Sequence, residues 1–489
     1  MIASSVPPER IRTLVEAPPD AGADYVLYWM TAYRRTRSNF AFQRAVEWAR
    51  SLSIPLVVLS ALEVDYRWAS ARHHTFMIEG MADVGRALAN TPVLYYPFVE
   101  AAPGAGRGLL DELAARAAVV VADDAPVFFL PAVLAAAGKR LRTRLEAVDH
   151  NGLLPLAATD RVFLRAYDLR RFLQRELPRH LDETPDDLSL DDLRPVPDGL
   201  LDDVTGRWPT SHEPASTLVP DLPIDHAVAP VHTRGGLERA GAVLERFVAG
   251  RLDRYDERNH PDARAESGLS PYLHFGHVSS HQVFSAVVDH EDWNPGDLSD
   301  SASGARQGWW GMSPQAESFL DQVITWRELG YRTAMADPGG YDRYEALPDW
   351  ARRTLADHAG DAREYVYSLD EFAAAATHDE IWNAAQRQLL TDGIIHNYLR
   401  MLWGKKILEW TPSPQVAHDI MIELNNRYAI DGRDPNSITG IHWVLGRFDR
   451  PWAPERPVFG MVRFMSSDST RRKLRLTEYL AGVPTLLDE

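Results

Sequence analysis

The chain of 489 residues has no cysteine at all. Composition therefore excludes disulfides, thiol nucleophiles, cysteine-ligated zinc and iron–sulfur clusters. It also has no apolar run of about 18 residues, the length that spans a bilayer. The opening stretch, MIASSVPPERIRTLVEAPPD, lacks the apolar core of a secretory signal. Walker-type loops, H-E-x-x-H and G-x-S-x-G are missing, and no metal site is expected. Gly104, Gly106 and Gly108 form G-x-G-x-G, which is not the dinucleotide fingerprint. These absences lead to the expectation of a soluble intracellular protein.

What is present is bulk and aromaticity. Hydrophobic residues make up 45% of the chain, with 14 tryptophans, enough for two or three domains with sizeable cores. The net charge of −17 at first argues against a nucleic-acid partner. Its distribution weakens that argument. Residues 181–226 hold twelve acidic and two basic side chains, a local charge of −10, whereas residues 400–475 hold thirteen basic and eight acidic, a local charge of +5. The acidity sits in a connecting segment and the C-terminal part is basic.

Short apolar runs alternate with amphipathic stretches over the first 150 residues. Tyr25–Met30, Ile54–Leu59, Val93–Tyr96 and Ala118–Ala122 read as buried strands, and Arg144–Val148 as a weaker fifth. That alternation predicts an α/β domain with a doubly wound parallel sheet, whose ligands sit at the carboxyl ends of the strands near a topological switch point. Residues from about 180 to 226 are rich in Asp, Pro and Leu and read as a long surface connector. Beyond His232 helical periodicity dominates, which predicts an all-α second domain. The expected organisation is 20–150 for the α/β domain, 151–231 for the connector and 232–489 for the helical domain.

Two runs carry chemistry. In IWNAAQRQLLTDGIIHNYLRMLWGKKILEW, Trp403 and Trp410 are seven apart and share a face if they lie on one helix. Trp382 lies on a preceding helix that stops at Asp392-Gly393. Each buried indole N–H needs a partner, and closely packed indoles can pass an electron. In SGLSPYLHFG, the hydroxyls and glycine of Ser267, Gly268, Leu269 and Ser270 precede a helix and offer an anion site suited to a diphosphate. Tyr255, on a preceding helix, can close over the same ligand.

With these runs in view, the chain resembles the DNA photolyase and cryptochrome family, and within it the class II cyclobutane pyrimidine dimer photolyases. The resemblance covers roughly Asp24 to Leu480 and rests on YVLYWM, RHHTFMIEGM, SGLSPYLHFGHVSS, THDEIWNAAQ, YLRMLWGKKILEW, LNNRYAIDGRDPN and RPVFGMVRFM. It implies an antenna-binding α/β domain, with a deazaflavin-type chromophore as the antenna of class II relatives, and a helical domain that holds FAD. It implies a diphosphate cradle at Ser267–Ser270 and an electron path through Trp410, Trp382 and Trp403. Asn425 and Asp431 match positions that approach the flavin ring, where a carboxamide can serve either protonation state, and Arg400 matches the partner of that aspartate. Arg258, Gln322, Trp326, Met401, Trp443, Arg450, Trp452 and Arg463 match the pocket for a flipped-out lesion in UV-damaged DNA.

The implied activity is light-driven repair of these dimers by an electron from reduced FAD, in the cytoplasm or nucleoid. Two departures stand out. Gln322 replaces the family's pocket carboxylate, keeping hydrogen bonding but not proton donation. The loop Gly446–Arg450 is one residue shorter. An altered lesion preference, or a photoreceptor that signals without repairing, are the alternative readings these departures raise.

Overall fold

The computed structural model describes residues 4–20 and 22–482. The last residues of the expected helical domain, 483–489, lie outside the described residues. All five expected strands form: β2 Tyr25–Trp29, β3 Leu56–Leu62, β4 Leu94–Val99, β5 Ala117–Asp123 and β6 Arg144–Val148. They are mutually parallel in the order β6-β5-β2-β3-β4. Such strands are covered on both faces, which explains their unbroken apolar runs; every residue of β2 and β5 is buried. Pro97 is tolerated in β4 because β4 is an edge strand, where one side of the backbone needs no ladder partner.

The sheet is nevertheless not wholly parallel. A sixth strand, β1 Ile11–Val15, pairs antiparallel with β6 and closes the other edge. It lies ahead of residue 20, where the sequence reading began the domain. Because β1 is half exposed and bulged between Thr13 and Val15, IRTLV carries no continuous apolar signature.

The strand order reverses beside β2, which neighbours both β3 and β5, and this is the switch point of a doubly wound sheet. Asp123, at the end of β5, holds the chain leaving β2 by accepting the N–H groups of Thr31, Ala32 and Tyr33 at 2.8–3.0 Å. The acidic segment after residue 180 is less a free connector than a strap. Leu188, Leu190 and Leu193 pack on one face of the sheet, and Leu201, Val204 and Trp208 on the other. Arg50 pairs with Asp192 and Arg116 with Asp203, so part of its acidity is matched by the domain it wraps.

The remainder is helical, as expected, from Leu237–Gly250 to Thr477–Leu480. Among the described residues no helix is long and apolar enough to cross a membrane.

Candidate functional site

The helical part encloses a cavity of about 960 Å³. Its wall contains Tyr255, Arg258, Ser267, Gly268, Leu269, Ser270, Gln322, Trp326, Arg400, Met401, Asp431, Trp443, Arg450 and Arg463. Residues singled out for two different roles thus share one chamber. Two do not reach the wall. The Asn425 amide donates instead to Asn426 Oδ1 at 3.0 Å and to Ser437 Oγ at 2.7 Å, and Ser437 is the lining residue. Trp452 stands behind Arg450 and Arg463, whose guanidinium carbons lie 4.3 and 3.9 Å from its ring centre.

Local structure explains the placements. Gly268 takes φ +73°, a conformation that strains any side-chain-bearing residue. The helix it precedes, Ser270–His274, is only five residues long, so any anion affinity comes from turn N–H groups and hydroxyls rather than from a long helix dipole. Asp431 accepts from Ser270 Oγ at 2.8 Å and from Arg400 Nη2 at 2.9 Å, tying that turn to the helix Asn397–Glu409. Tyr255 lies on a 3₁₀ segment, Leu252–Asn259, with Arg258 stacked 4.7 Å above its ring. Burial pushes its phenol up to about 12, so it stays protonated. Glu266 and His396, which sequence reasoning passed over, also line the chamber, with His396 Nε2 2.8 Å from Glu266 Oε1. Glu266 directly precedes the Ser267 run, and that adjacency was the available signal.

Gln322 and Trp326 sit on a π-helical stretch, Asp321–Trp326, inserted between two α-helices. A π turn is wider than an α turn and recurs at functional sites. Here it is anchored by Asp321, paired with Arg170 at 2.7 Å with both side chains buried. The opposite wall is organised by Asp449, another residue the sequence did not single out. It accepts from Arg463 Nε at 2.8 Å, Trp452 Nε1 at 3.2 Å and the Arg450 N–H at 2.9 Å. Burial alone would raise its carboxyl; the Arg463 hydrogen bond and the other donors outweigh this and hold it below the usual range.

The three indoles form a row whose order differs from chain order. Trp382 lies parallel to Trp403 at 6.4 Å between ring centres and edge-on to Trp410 at 6.3 Å. Trp382 is therefore the middle member. It reaches this place from the helix Glu380–Asp392, which ends at Gly393 with φ +69°. Its N–H donates to the Trp403 carbonyl at 3.0 Å, and the Trp403 N–H to Gln386 Oε1 at 2.9 Å. Trp403 lies one turn from Arg400 of the cavity wall. Trp410 is not on the helix but is its C-cap, and it is only 3% exposed.

Lys405 is fully buried behind this wall, its ammonium donating to the Val444 carbonyl at 2.5 Å and lying 5.2 Å from the Trp443 ring. Burial pulls it down to about 7. Its proton is thus held less tightly in the folded chain than in the unfolded one, so unfolding takes up a proton between about pH 7 and the free-lysine range. Stability from this group rises with pH across that window, by about 1.4 kcal/mol per pH unit, and the burial penalty is fully present below it. Thermal melts of parent and Lys405→Met from pH 6.5 to 9 are expected to show the parent gaining stability relative to the variant as pH rises. Parallel curves would remove Lys405 as the cause.

A second cavity, of about 760 Å³, opens at the carboxyl ends of β2–β5. Its wall holds Trp29, Tyr66, Phe128 and Phe129, together with Gly104, Gly106 and Gly108 of the G-x-G-x-G run. Gly106 lies so close to Phe98 and Glu100 that a Cβ would meet them at 2.9 and 3.2 Å. His274 and Arg433 reach this cavity from the helical part, and His274 Nδ1 lies 3.0 Å from Asp434 Oδ2 of the first chamber.

A doubly wound sheet joined to a helical unit is the architecture this chain shares with solved photolyases and a cryptochrome. No protein-family model matches the chain. Among solved structures, a class III photolyase from Agrobacterium tumefaciens aligns with a TM-score of 0.66 at 18% identity, covering 94% of this chain and 86% of that one. A cryptochrome from Synechocystis aligns with a TM-score of 0.63 at 13% identity, covering 93% and 87%. Curated relatives are nearer in sequence. The deoxyribodipyrimidine photo-lyase of Methanothermobacter thermautotrophicus is 36% identical over 98% of this chain and 99% of its own. That of Arabidopsis thaliana is 32% identical over 99% of this chain and 94% of its own. The chain belongs to the deoxyribodipyrimidine photo-lyase family.

Proposed function

We propose that this chain holds FAD in the larger chamber and uses light to split cyclobutane pyrimidine dimers in DNA, in the manner of the class II members. The carrying observation is that one chamber joins the turn Ser267–Ser270, Arg400 and Asp431 to the wall formed by Gln322, Trp326, Met401 and Trp443, with the indole row one turn behind. The residues fit a flavin dinucleotide. The chamber has the size of a cofactor site, and Arg400 keeps a buried Nε without a protein partner at its wall. When bound, reduced FAD supplies on excitation the electron that opens the dimer and regains it afterwards.

The chain's own residues do the rest. The Ser267–Ser270 turn offers donors to a diphosphate, and the Arg400–Asp431 pair sets the charge at the ring edge. Asn425 holds the lining residue Ser437 in place by donating to its hydroxyl. Trp326, Met401 and Trp443 exclude water and wall a flipped-out dimer. Arg258, Arg450 and Arg463 answer the phosphates around the flip, and their basic region governs association despite the negative total charge. Trp403, Trp382 and Trp410 carry electrons inward to the flavin when it needs reducing. The second cavity, with its aromatic walls, takes an antenna of the deazaflavin type; an added deazaflavin that neither binds nor sensitises the flavin would overturn that part. The protein acts as a monomer in the compartment that holds DNA.

Gln322 offers the dimer a neutral hydrogen bond where a carboxylic acid can also deliver a proton. Gln322→Glu is therefore expected to keep or raise the repair yield per absorbed photon. The measurement is the quantum yield on a thymine-dimer oligonucleotide for both reduced proteins. No repair by either would favour the photoreceptor reading, for which Gln322 is the best support.

A further inference from the structure

One stretch at the rim of the larger chamber, residues 161–175, has no part in holding a flavin or walling a dimer. Leu164 there is 68% exposed, the highest value for a large apolar residue among the described residues. Val162 and Tyr167 beside it are 50% and 47% exposed. Apolar side chains gathered in this way on a surface mark a place that another molecule covers. The stretch is not a loose loop. Phe163 is buried against Phe172 at 5.3 Å between ring centres, which pins the turn while its two neighbours stay in solvent. Arg165 forms a backbone bridge to Phe448, next to Asp449 and Arg450 of one chamber wall. Five residues on, Arg170 pairs with Asp321 of the π-helical stretch that carries Gln322 and Trp326. Arg165, Ala166 and Tyr167 themselves line the chamber, so Leu164 is fixed at its mouth.

Charge says what covers it. Arg161, Arg171, Arg175 and Arg306 are exposed, and among the described residues none of them stands in an ion pair. Arg171 and Arg175 are four apart on the helix Ala166–Glu176, so they share a face and repel one another. An anion lying across both relieves that repulsion. Arg306 lines the chamber beside Tyr167, whose hydroxyl donates to the Ser303 carbonyl at 3.1 Å. The nearby acids are already matched: Asp168 pairs with Arg165 at 2.9 Å and Glu176 with Arg179 at 3.1 Å. Asp160, just ahead of the stretch, is the exception.

We propose that residues 161–175 form a second DNA-contact face. Leu164 and Val162 are its wedge, standing in the duplex where the extruded dimer was, and the arginines hold the phosphates beside them. This rests on the reading of the larger chamber as the place of a flipped-out dimer. An apolar side chain that enters the gap replaces stacking lost on extrusion, as inserted leucines do in proteins that kink a duplex. The face is distant in sequence from the basic residues 400–475, so removing it leaves Arg450 and Arg463 intact.

The test compares the parent, Leu164→Ala and the double variant Arg171→Ala/Arg175→Ala, each loaded with flavin. Binding is measured on a thymine-dimer oligonucleotide, as a duplex and as a single strand, over a range of salt. A single strand has no gap to fill. Leu164→Ala is therefore expected to weaken binding of the damaged duplex roughly 10-fold and to leave the single strand unchanged. The double variant should lower the salt slope on the duplex by about two phosphate contacts. All three positions are exposed, so the variants are expected to fold as the parent does, which melting curves check. Three results overturn the inference and leave the chamber reading standing: parent-like binding of the damaged duplex by Leu164→Ala, an equal loss on duplex and single strand, or an unchanged salt slope in the double variant. A parent that binds damaged and undamaged duplex equally overturns the chamber reading itself.

Discussion

Trp382→Phe is expected to abolish light-driven reduction of the bound flavin while leaving the flavin in place. Phenylalanine fills much of the buried space but is far harder to oxidise than an indole. The substitution opens a gap in a row whose steps are 6.4 and 6.3 Å. Trp403 and Trp410 are seven residues apart, about 10 Å of helical rise, and electron tunnelling falls exponentially over such a distance. Photoreduction should therefore fall by orders of magnitude. The change also removes the indole N–H bond to the Trp403 carbonyl, so flavin content and the melting curve are measured alongside. Unchanged photoreduction with normal flavin content would return the three indoles to a purely packing role.

Arg463→Ala should weaken binding of lesion DNA roughly 10- to 100-fold, about 1.4–2.8 kcal/mol. Two losses combine. The guanidinium is a phosphate donor at the rim, and it is also the bidentate partner of Asp449. Without it Asp449 faces approaching phosphates unneutralised, and Trp452 loses the nearer of the two cations over its ring. The slope of binding against salt should fall by about one phosphate contact. Arg450→Ala, which leaves the Arg463–Asp449 pair intact, is expected to cost less. Equal binding by parent and Arg463→Ala would place the DNA face elsewhere.

The five parallel strands were legible because a strand buried on both faces must be apolar throughout, as Ala117–Asp123 shows. Strand β1 was not, since a half-exposed, bulged edge strand has little to distinguish IRTLV from a loop. The helix stop at Gly393 could be read from its residue type, whereas the order Trp410, Trp382, Trp403 came from the family resemblance and not from spacing. Spacing alone pairs Trp403 with Trp410, but the packing of two helices inserts Trp382 between them, and that is a tertiary fact. The role of Asp449 was hidden for the same reason: a lone aspartate in GRFDRPW looks like any surface acid until Arg463 and Trp452 arrive from beyond it. Asn425 illustrates the converse, a residue one contact behind the chamber wall whose amide is turned toward Asn426 and Ser437 by hydrogen bonds no spacing rule encodes.

The central claim is that this chain repairs DNA with light. Its most direct test is an anaerobic assay of the flavin-loaded, reduced protein on an oligonucleotide bearing a single cis-syn thymine dimer, with matched samples in blue light and in the dark. The account predicts restoration of the two thymines in the light, none in the dark, and loss of the light reaction when the flavin is removed. Stoichiometric flavin with tight binding to the damaged strand, yet no dimer split in either sample, would contradict it.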